Sequence, residues 1–185
     1  MIIFLCWISC GKNSDPDTGG ENNHYVSVLT QRNNNTRSGY NDKETILTTT
    51  NVNAQQFKKL FSLSVDDQVY AQPLIAANVT ILRKKHNIAY IATVNNTMYA
   101  YDGDSGKLYW QKNYTAQNMR PPKNTDMTGA CSGNYKDFSG NIGIVGTPVI
   151  DPAAQTIYFV ARSTDGINYV QYLHAVNIIN GSEMA

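Results

Sequence analysis

From residue 55 onward, apolar and polar residues alternate in short runs that are separated by turn-forming residues. A period of two is typical of β-strands, whose side chains point alternately to the two faces of a sheet. No segment repeats its apolar residues at the helical interval. The pattern therefore predicts an all-β fold. The predicted strands form two sets: FKKLFSLSV, QVYAQPLIA, NIAYIATV and TMYAYD, then IGIVGTPVI, TIYFVA and YVQYLHAV.

The two sets of strands are related by an internal repeat. Three anchors recur after 75 residues (148 − 73): Pro73 as Pro148, Ala100 as Ala175 and Gly106 as Gly181. Constant anchors with variable connections indicate one four-stranded unit that is repeated. Such units usually take about 40–50 residues, so a spacing of this length requires an insertion. The polar segment 111–140, which contains Pro-Pro and no strand pattern, is the predicted insertion.

The stretch YAYDGDSGKLYW follows the pattern A-x-D-x-x-[ST]-G-x-x-x-W, with matching residues Ala100, Asp102, Ser105, Gly106 and Trp110. A strand that ends at Asp102 would lead into a tight turn. The carboxylate can accept hydrogen bonds from the turn amides, and Gly106 accommodates a positive φ. Small Ala100 would leave room for an indole from an adjacent sheet, and Trp110 would close a seam between sheets. We therefore predict a structural role for this docking motif.

This pattern resembles the tryptophan-docking motif of the PQQ-like (pyrroloquinoline-quinone, quinoprotein-like) β-propeller repeats, over about residues 25–185. The resemblance implies a partial β-propeller of about two four-stranded blades plus a leading segment. The second copy has Asn177 in place of Asp102, and Ala185 in place of Trp110. Because propellers close with typically 4–8 blades, the chain is expected to be a fragment of a larger propeller. The alternative is self-association of short chains to complete a ring.

The first ten residues, MIIFLCWISC, differ in character from the rest of the chain. A short apolar run that ends in a small residue and a cysteine resembles the end of a bacterial lipoprotein signal. The resemblance implies that residues 1–10 are a signal remnant, that Cys10 is lipidated, and that residues 11–24 form a flexible tether. The protein is then expected to be exported and anchored to a membrane of the bacterial envelope. The alternative is an apolar N-terminal strand with a buried cysteine.

Charge and composition narrow the class of partner. Hydrophobic residues make up 42% of the chain, and 15 Lys and Arg residues balance 14 Asp and Glu residues. This nearly neutral balance gives no electrostatic reason to expect a nucleic-acid partner.

No cluster of residues with catalytic or metal-ligating spacing is visible. Propellers that use pyrroloquinoline quinone with calcium need converging oxygen ligands, an aromatic residue that stacks on the quinone, and a base. The acidic residues in question are scattered: Asp126, Asp137, Asp151 and Glu183. We assign no catalytic, cofactor-binding or metal site, and expect Asp151 to belong to a turn.

The histidines and the remaining cysteine also have ordinary structural interpretations. His86 is predicted to be solvated on a basic loop, and His174 to be a satisfied structural histidine. Cys131 is the only cysteine after the first ten residues, so it has no partner for a disulfide within the body of the chain. It also has no adjacent base to support a nucleophilic role. A disulfide becomes the better interpretation if a longer protein contains another exported cysteine.

Three functions are compatible with these features. The first is a non-catalytic binding or scaffold module that presents loop 111–140 to an envelope protein or a glycan. The second is part of a dehydrogenase of alcohols or sugars that depends on pyrroloquinoline quinone and calcium, as the family resemblance implies. The third is a lipoprotein that assists assembly of the cell envelope. We favour the binding module because propellers host unrelated activities and no catalytic cluster is visible.

Overall fold

The computed structural model describes residues 25–129, 133, 135–138 and 140–184. Within these residues the chain forms two antiparallel sheets and very little helix, such as the short 3-10 helix Asn124–Asp126, so the all-β prediction is confirmed. The first sheet has the strand order β1 (Leu74–Ile81), β2 (Lys84–Ala92), β3 (Thr97–Asp102) and β4 (Leu108–Asn113). The second sheet has the strand order β5 (Val149–Asp151), β6 (Thr156–Thr164) and β7 (Tyr169–Asn177).

The strand predicted at residues 57–65 is wrong, and β4 takes its place as the fourth strand of the first sheet. Residues 57–65 pair with no strand among the described residues, but Leu63 and Val65 pack against Tyr99 and Tyr101. The alternation that resembled a strand thus accompanies side-chain contacts, including a hydrogen bond from the Tyr101 hydroxyl to the carbonyl of Ser64, without strand pairing. Strand β4 escaped prediction because it is an edge strand with mostly exposed side chains, which weakens the alternation of apolar and polar residues.

The strands of the two sheets pair in equivalent registers. In the first sheet Tyr90 pairs with Leu74 and Ala100, and in the second Tyr158 pairs with Val149 and Ala175. The predicted repeat therefore has a structural counterpart. The second sheet has three strands over the described residues instead of the expected four. A bridge between Val176 and Glu183 nevertheless matches the pairing of Tyr101 with Leu108 at the start of β4.

The main core lies between the two sheets. Leu74, Tyr90 and Met98 of the first sheet and Ile157 and Phe159 of the second belong to one cluster of buried side chains. Each such side chain contributes about 1.5–3 kcal/mol through removal of apolar surface from water. The cluster fixes one sheet against the other.

The outer face of the second sheet is exposed, in contrast to the matching face of the first. Four exposed apolar residues occupy the register positions of four buried ones: Val149 that of Leu74, Tyr158 that of Tyr90, Val160 that of Ala92 and Leu173 that of Met98. The contrast is largest for Leu173, which is 71% exposed, against 0% for Met98.

Candidate functional site

The docking motif forms the turn that its residue types predict. One carboxylate oxygen of Asp102 accepts hydrogen bonds from the backbone N–H of Asp104 at 3.2 Å and of Ser105 at 2.8 Å. The Ser105 hydroxyl donates to the same oxygen at 2.7 Å. Gly106 has a φ of +73° and closes the turn with a backbone hydrogen bond to Asp102.

The same turn follows β7. Gly181 has a φ of +71°, and its N–H donates to the carbonyl of Asn177 at 2.9 Å. The side-chain oxygen of Asn177 accepts hydrogen bonds from the N–H groups of Ile179 and Asn180. The amide oxygen of Asn177 therefore takes the place of the Asp102 carboxylate oxygen, and the backbone hydrogen bonds of the two turns match. The hydrogen bond from the Ser105 hydroxyl has no counterpart, because Asn180 occupies that position.

Trp110 lies at the seam between the two sheets. Its indole N–H donates to the carbonyl of Ile178 at 3.0 Å, and the Tyr90 hydroxyl donates to the same carbonyl at 3.0 Å. The Tyr114 hydroxyl donates to the carbonyl of Gly181 at 2.7 Å. The indole sits so close to Gly181 that a Cβ atom there would lie 2.7 Å from the ring. Three aromatic residues of the first sheet and its following loop thus hold the second turn.

The place expected for Ala100 needs correction. We predicted that Ala100 leaves room for an indole from an adjacent sheet, but its cross-strand partner is Trp110 of its own sheet. The turn glycines receive the aromatic rings instead, because they lack a side chain. A Cβ atom at Gly106 would lie 3.1 Å from the ring of Phe61, in the way that one at Gly181 would meet Trp110.

His86 belongs to a hydrogen-bonded cluster on the outer side of the first turn. It lies on β2 and is partly buried, so the expected solvated loop position is wrong. Its Nδ1 lies 2.8 Å from the Tyr109 hydroxyl and 3.3 Å from a carboxylate oxygen of Asp102. Burial and the charge of Asp102 raise the pKa of Tyr109 to about 12. His86, Tyr109 and Asp102 thus serve as hydrogen-bond partners for one another, which indicates a structural role.

Acid should weaken the first turn. Burial would raise the pKa of Asp102, but hydrogen bonds from Ser105, Tyr109 and Asp104 outweigh it and lower the pKa to about 2, from 3.8. A carboxyl whose pKa falls on folding adds stability that is present above pH 4 and is lost as the pH falls toward 2. We expect a loss of about 1–2 kcal/mol from this group, measured by urea unfolding across that range. Asp102→Asn should show a shallower pH dependence, and an unchanged slope would contradict this assignment.

A second group of polar residues lies at the opposite end of the sheets, which we call the loop end. It comprises the β2–β3 hairpin residues 93–96, the leading residues 66–72 and the described residues of the connection 114–148. The carboxylate of Asp66 accepts hydrogen bonds from Thr93 at 2.7 Å, Asn95 at 2.8 Å and Thr97 at 2.5 Å. Burial would raise the pKa of Asp66, but these hydrogen bonds lower it.

The loop-end carboxylates do not fit a calcium site that a quinone could share. Both oxygens of Asp66 already accept hydrogen bonds from protein side chains, and one oxygen of Asp67 accepts a hydrogen bond from Asn141 at 2.9 Å. Among the described residues, no three His, Cys, Asp or Glu side chains group closely enough to hold a metal ion. We therefore derive no catalytic step through calcium and quinone.

The connection between the sheets packs closely on the β2–β3 hairpin. The N–H of Gly143 donates to the carbonyl of Val94 at 2.8 Å, and a Cβ atom at Gly143 would lie 2.5 Å from that oxygen. Asn96, which is fully buried, donates from its amide to the carbonyl of Arg162 at 2.7 Å. The hairpin thus links the connection to β6.

A charged pair supports the same connection. Both terminal guanidinium nitrogens of Arg120 donate to the carboxylate of Asp126, at 2.7 and 2.9 Å. The backbone of Arg120 also pairs with Thr164 at the end of β6. The predicted insertion at 111–140 therefore begins inside β4, and its described part forms a wall beside the second sheet.

Between this wall and the β6–β7 hairpin lies a cleft of about 520 Å³. Its walls are largely apolar and aromatic, formed in part by Met127, Tyr135, Phe138, Ile142 and Tyr169. Ligand sites typically combine such walls with a few polar groups that fix orientation. We call this space the loop-end cleft.

Arg162 and Gln171 supply polar groups of the cleft. They are cross-strand partners on β6 and β7, so their side chains leave the same face of the sheet, as does that of Tyr169 two residues before Gln171. The Arg162 guanidinium makes no hydrogen bond or ion pair with any described residue, whereas Arg120 is fully paired with Asp126. The sequence analysis did not identify these residues. The signal available was that Arg162 occupies a position of β6 at which the alternating pattern otherwise places apolar residues.

The other candidate residues lie apart from the cleft or outside the described residues. Asp151 accepts hydrogen bonds from the two residues after Pro152, in the expected turn. Glu183 lies 2.6 Å from Nδ1 of His174, whose Nε2 is buried without a partner among the described residues. Only one ring nitrogen of His174 therefore has a hydrogen-bond partner among the described residues, whereas we predicted a fully hydrogen-bonded histidine.

The remaining candidates also lie outside the cleft. Asp126 pairs with Arg120 at the edge of the wall, and the backbone carbonyl of Asp137 accepts a hydrogen bond from the Tyr70 hydroxyl. Cys10 and Cys131 fall outside the described residues.

Over the part of the chain that the structure describes, no helix has the length and apolar character needed to cross a bilayer. Comparisons with profiles of known protein families, with curated proteins and with solved structures find no match to this chain.

Proposed function

We propose that the chain is a non-catalytic binding module, built from neighbouring blades of an exported β-propeller, whose loop-end cleft receives the ligand. The blade assignment is supported by the shared register of the two sheets and by the two matching turns that end in Gly106 and Gly181. The aromatic residue seated on each turn glycine is a second repeated contact.

The exposed face of the second sheet supports the idea that a further blade packs there. Val149, Tyr158 and Leu173 are exposed where their register partners in the first sheet are buried. Apolar residues gathered on one sheet face favour coverage by another surface. A third sheet of the same repeat is the proposed cover of these three residues, and a second copy of the chain is the alternative. Arg162 and Gln171 leave the same face nearer the loop end. The proposed cover therefore ends short of them, which leaves the cleft open.

The observation that carries the binding role is the loop-end cleft. Binding sites in such scaffolds concentrate on loops that a rigid framework positions. Here the contact of Gly143 with Val94 fixes the wall, and β6 and β7 supply the facing side. The proposal includes the lipid-anchored location expected from Cys10 and an envelope protein or glycan as partner.

A ligand survey by nuclear magnetic resonance tests the binding role. The full chain, labelled with ¹⁵N, is titrated with apolar peptides, neutral sugars and aromatic acids, and amide shifts are mapped. We expect shifts from at least one class to concentrate around the cleft, and Tyr169→Ala to weaken that binding about tenfold. The absence of cleft shifts with every class would overturn the proposal.

Tyr172→Ala is the matched control. Tyr169 and Tyr172 lie on the same strand and are 54% and 50% exposed, but their side chains leave opposite faces of β7. The control should bind as the unmodified chain does. Calcium-dependent binding of pyrroloquinoline quinone would instead favour the dehydrogenase alternative.

A further inference from the structure

The chemistry of the cleft's ligand can be inferred from Arg162, whose guanidinium has no partner among the described residues. We propose that the cleft binds an organic monocarboxylate with an aromatic or aliphatic body, and that Arg162 pairs with the carboxylate. This inference rests on the proposed binding function and specifies it.

The charge of Arg162 needs a partner that the described chain does not provide. A guanidinium that is partly withdrawn from water loses hydration, and a hydrogen-bonded anion compensates for that loss. Asp126, which belongs to the nearby wall, is already engaged by Arg120 through both carboxylate oxygens. Gln171 lies directly across from Arg162 and can donate its side-chain N–H to the same anion. A bound carboxylate would accept hydrogen bonds from both Arg162 and Gln171.

The number of charges favours a carboxylate over a phosphate. Arg162 is the one charged side chain among the described residues that line the cleft. Its planar fork matches the two oxygens of a carboxylate, and the two unit charges cancel. A phosphate group carries about −1.5 to −2 at neutral pH, so part of its charge would stay uncompensated between apolar walls.

The walls favour an apolar body over a sugar. Phe138, Met127 and Ile142 offer apolar surface, and Tyr135 and Tyr169 add aromatic rings. A sugar would bring several hydroxyl groups into this space, and each needs a hydrogen-bond partner that Gln171 and the tyrosine hydroxyls could supply only in part. An aromatic ring or branched alkyl group needs none, and can stack on the rings.

The test uses two probes that differ only in charge. N-acetylphenylalanine carries a carboxylate, and N-acetylphenylalanine amide is its neutral counterpart. Binding of each to the full chain is measured by titration of the amide shifts. We expect the acid to bind at least about tenfold more tightly than the amide, as charge-assisted hydrogen bonds imply. In Arg162→Gln the two probes should bind equally.

Arg83→Gln removes one positive charge from the turn between β1 and β2, at the opposite end of the first sheet, and should keep the full preference for the acid. If 3-phenylpropionate matches N-acetylphenylalanine, free aromatic acids are equally good ligands. Tighter binding of N-acetylphenylalanine indicates the end of a peptide chain. Both results support a ligand with a carboxylate and an apolar body.

Equal binding of acid and amide by the unmodified chain would overturn the carboxylate assignment but leave the cleft a binding site. Tighter binding of methyl glucuronide than of N-acetylphenylalanine would also overturn it, in favour of an acidic glycan. The binding function itself fails only if no class of probe shifts the cleft.

Discussion

Gly143→Ala is expected to lower the free energy of unfolding by about 4 kcal/mol, a large part of the stability of a typical single domain. The added Cβ atom would lie 2.5 Å from the backbone oxygen of Val94 and closer still to the side-chain oxygen of Asn96. Neither atom can move freely, because Val94 accepts the hydrogen bond from Gly143 and Asn96 is held by Arg162. The variant must either break these contacts or displace the wall of the cleft.

Urea unfolding followed by circular dichroism measures this loss, with Gly146→Ala as the control. A Cβ atom at Gly146 meets nothing within 4 Å, and its φ lies outside the left-handed region. The control should be unchanged, or about 0.4–1 kcal/mol more stable, because alanine restricts the unfolded chain. Equal stability of the two variants would show that the connection does not pack on the hairpin as described.

Gly181→Ala is expected to cost about 3 kcal/mol and to loosen the contact between the sheets. Two effects combine at this position. A left-handed conformation costs a residue with a side chain about 1–2 kcal/mol, and crowding against Trp110 adds a similar amount. The indole can retreat only by giving up its hydrogen bond to Ile178.

Three comparisons separate the two effects. Gly39→Ala has a φ of +79° with nothing within 4 Å, so it should show the conformational cost alone. Gly106→Ala has nearly the same φ as Gly181 but meets Phe61 at a less severe 3.1 Å, so its cost should be intermediate. In a Trp110→Ala background, Gly181→Ala should fall to the cost seen at Gly39. If Gly39→Ala, Gly106→Ala and Gly181→Ala cost the same, the indole is not seated on this glycine.

Local patterns predicted the sheets and the turns because each depends on neighbouring residues. Alternation indicates strands, and Asp102 with Gly106 specifies a turn through bonds that span four residues. The same patterns failed where packing replaces pairing. Leu63 and Val65 alternate like a strand because they cover Tyr99 and Tyr101, without any ladder among the described residues.

The loop-end cleft could not be predicted because no local motif encodes it. Arg162 and Gln171 meet through the pairing of β6 with β7, while Phe138 and Ile142 arrive from the connection. What joins these segments is the close approach of Gly143 to Val94, a contact between residues far apart in sequence. A glycine that permits such contact looks, in the sequence, like any loop glycine.

Because Trp110 lies at the contact between the two sheets, its fluorescence can report on that contact. The chain contains two tryptophans, and the other, Trp7, can be replaced by phenylalanine. Emission from the remaining indole would then report on its hydrogen bond to Ile178 and its contact with Gly181, both across the seam. Far-ultraviolet dichroism reports on the strands themselves. Separation of the two signals during unfolding would reveal a state in which the sheets have parted but each still keeps its hydrogen-bonded strands.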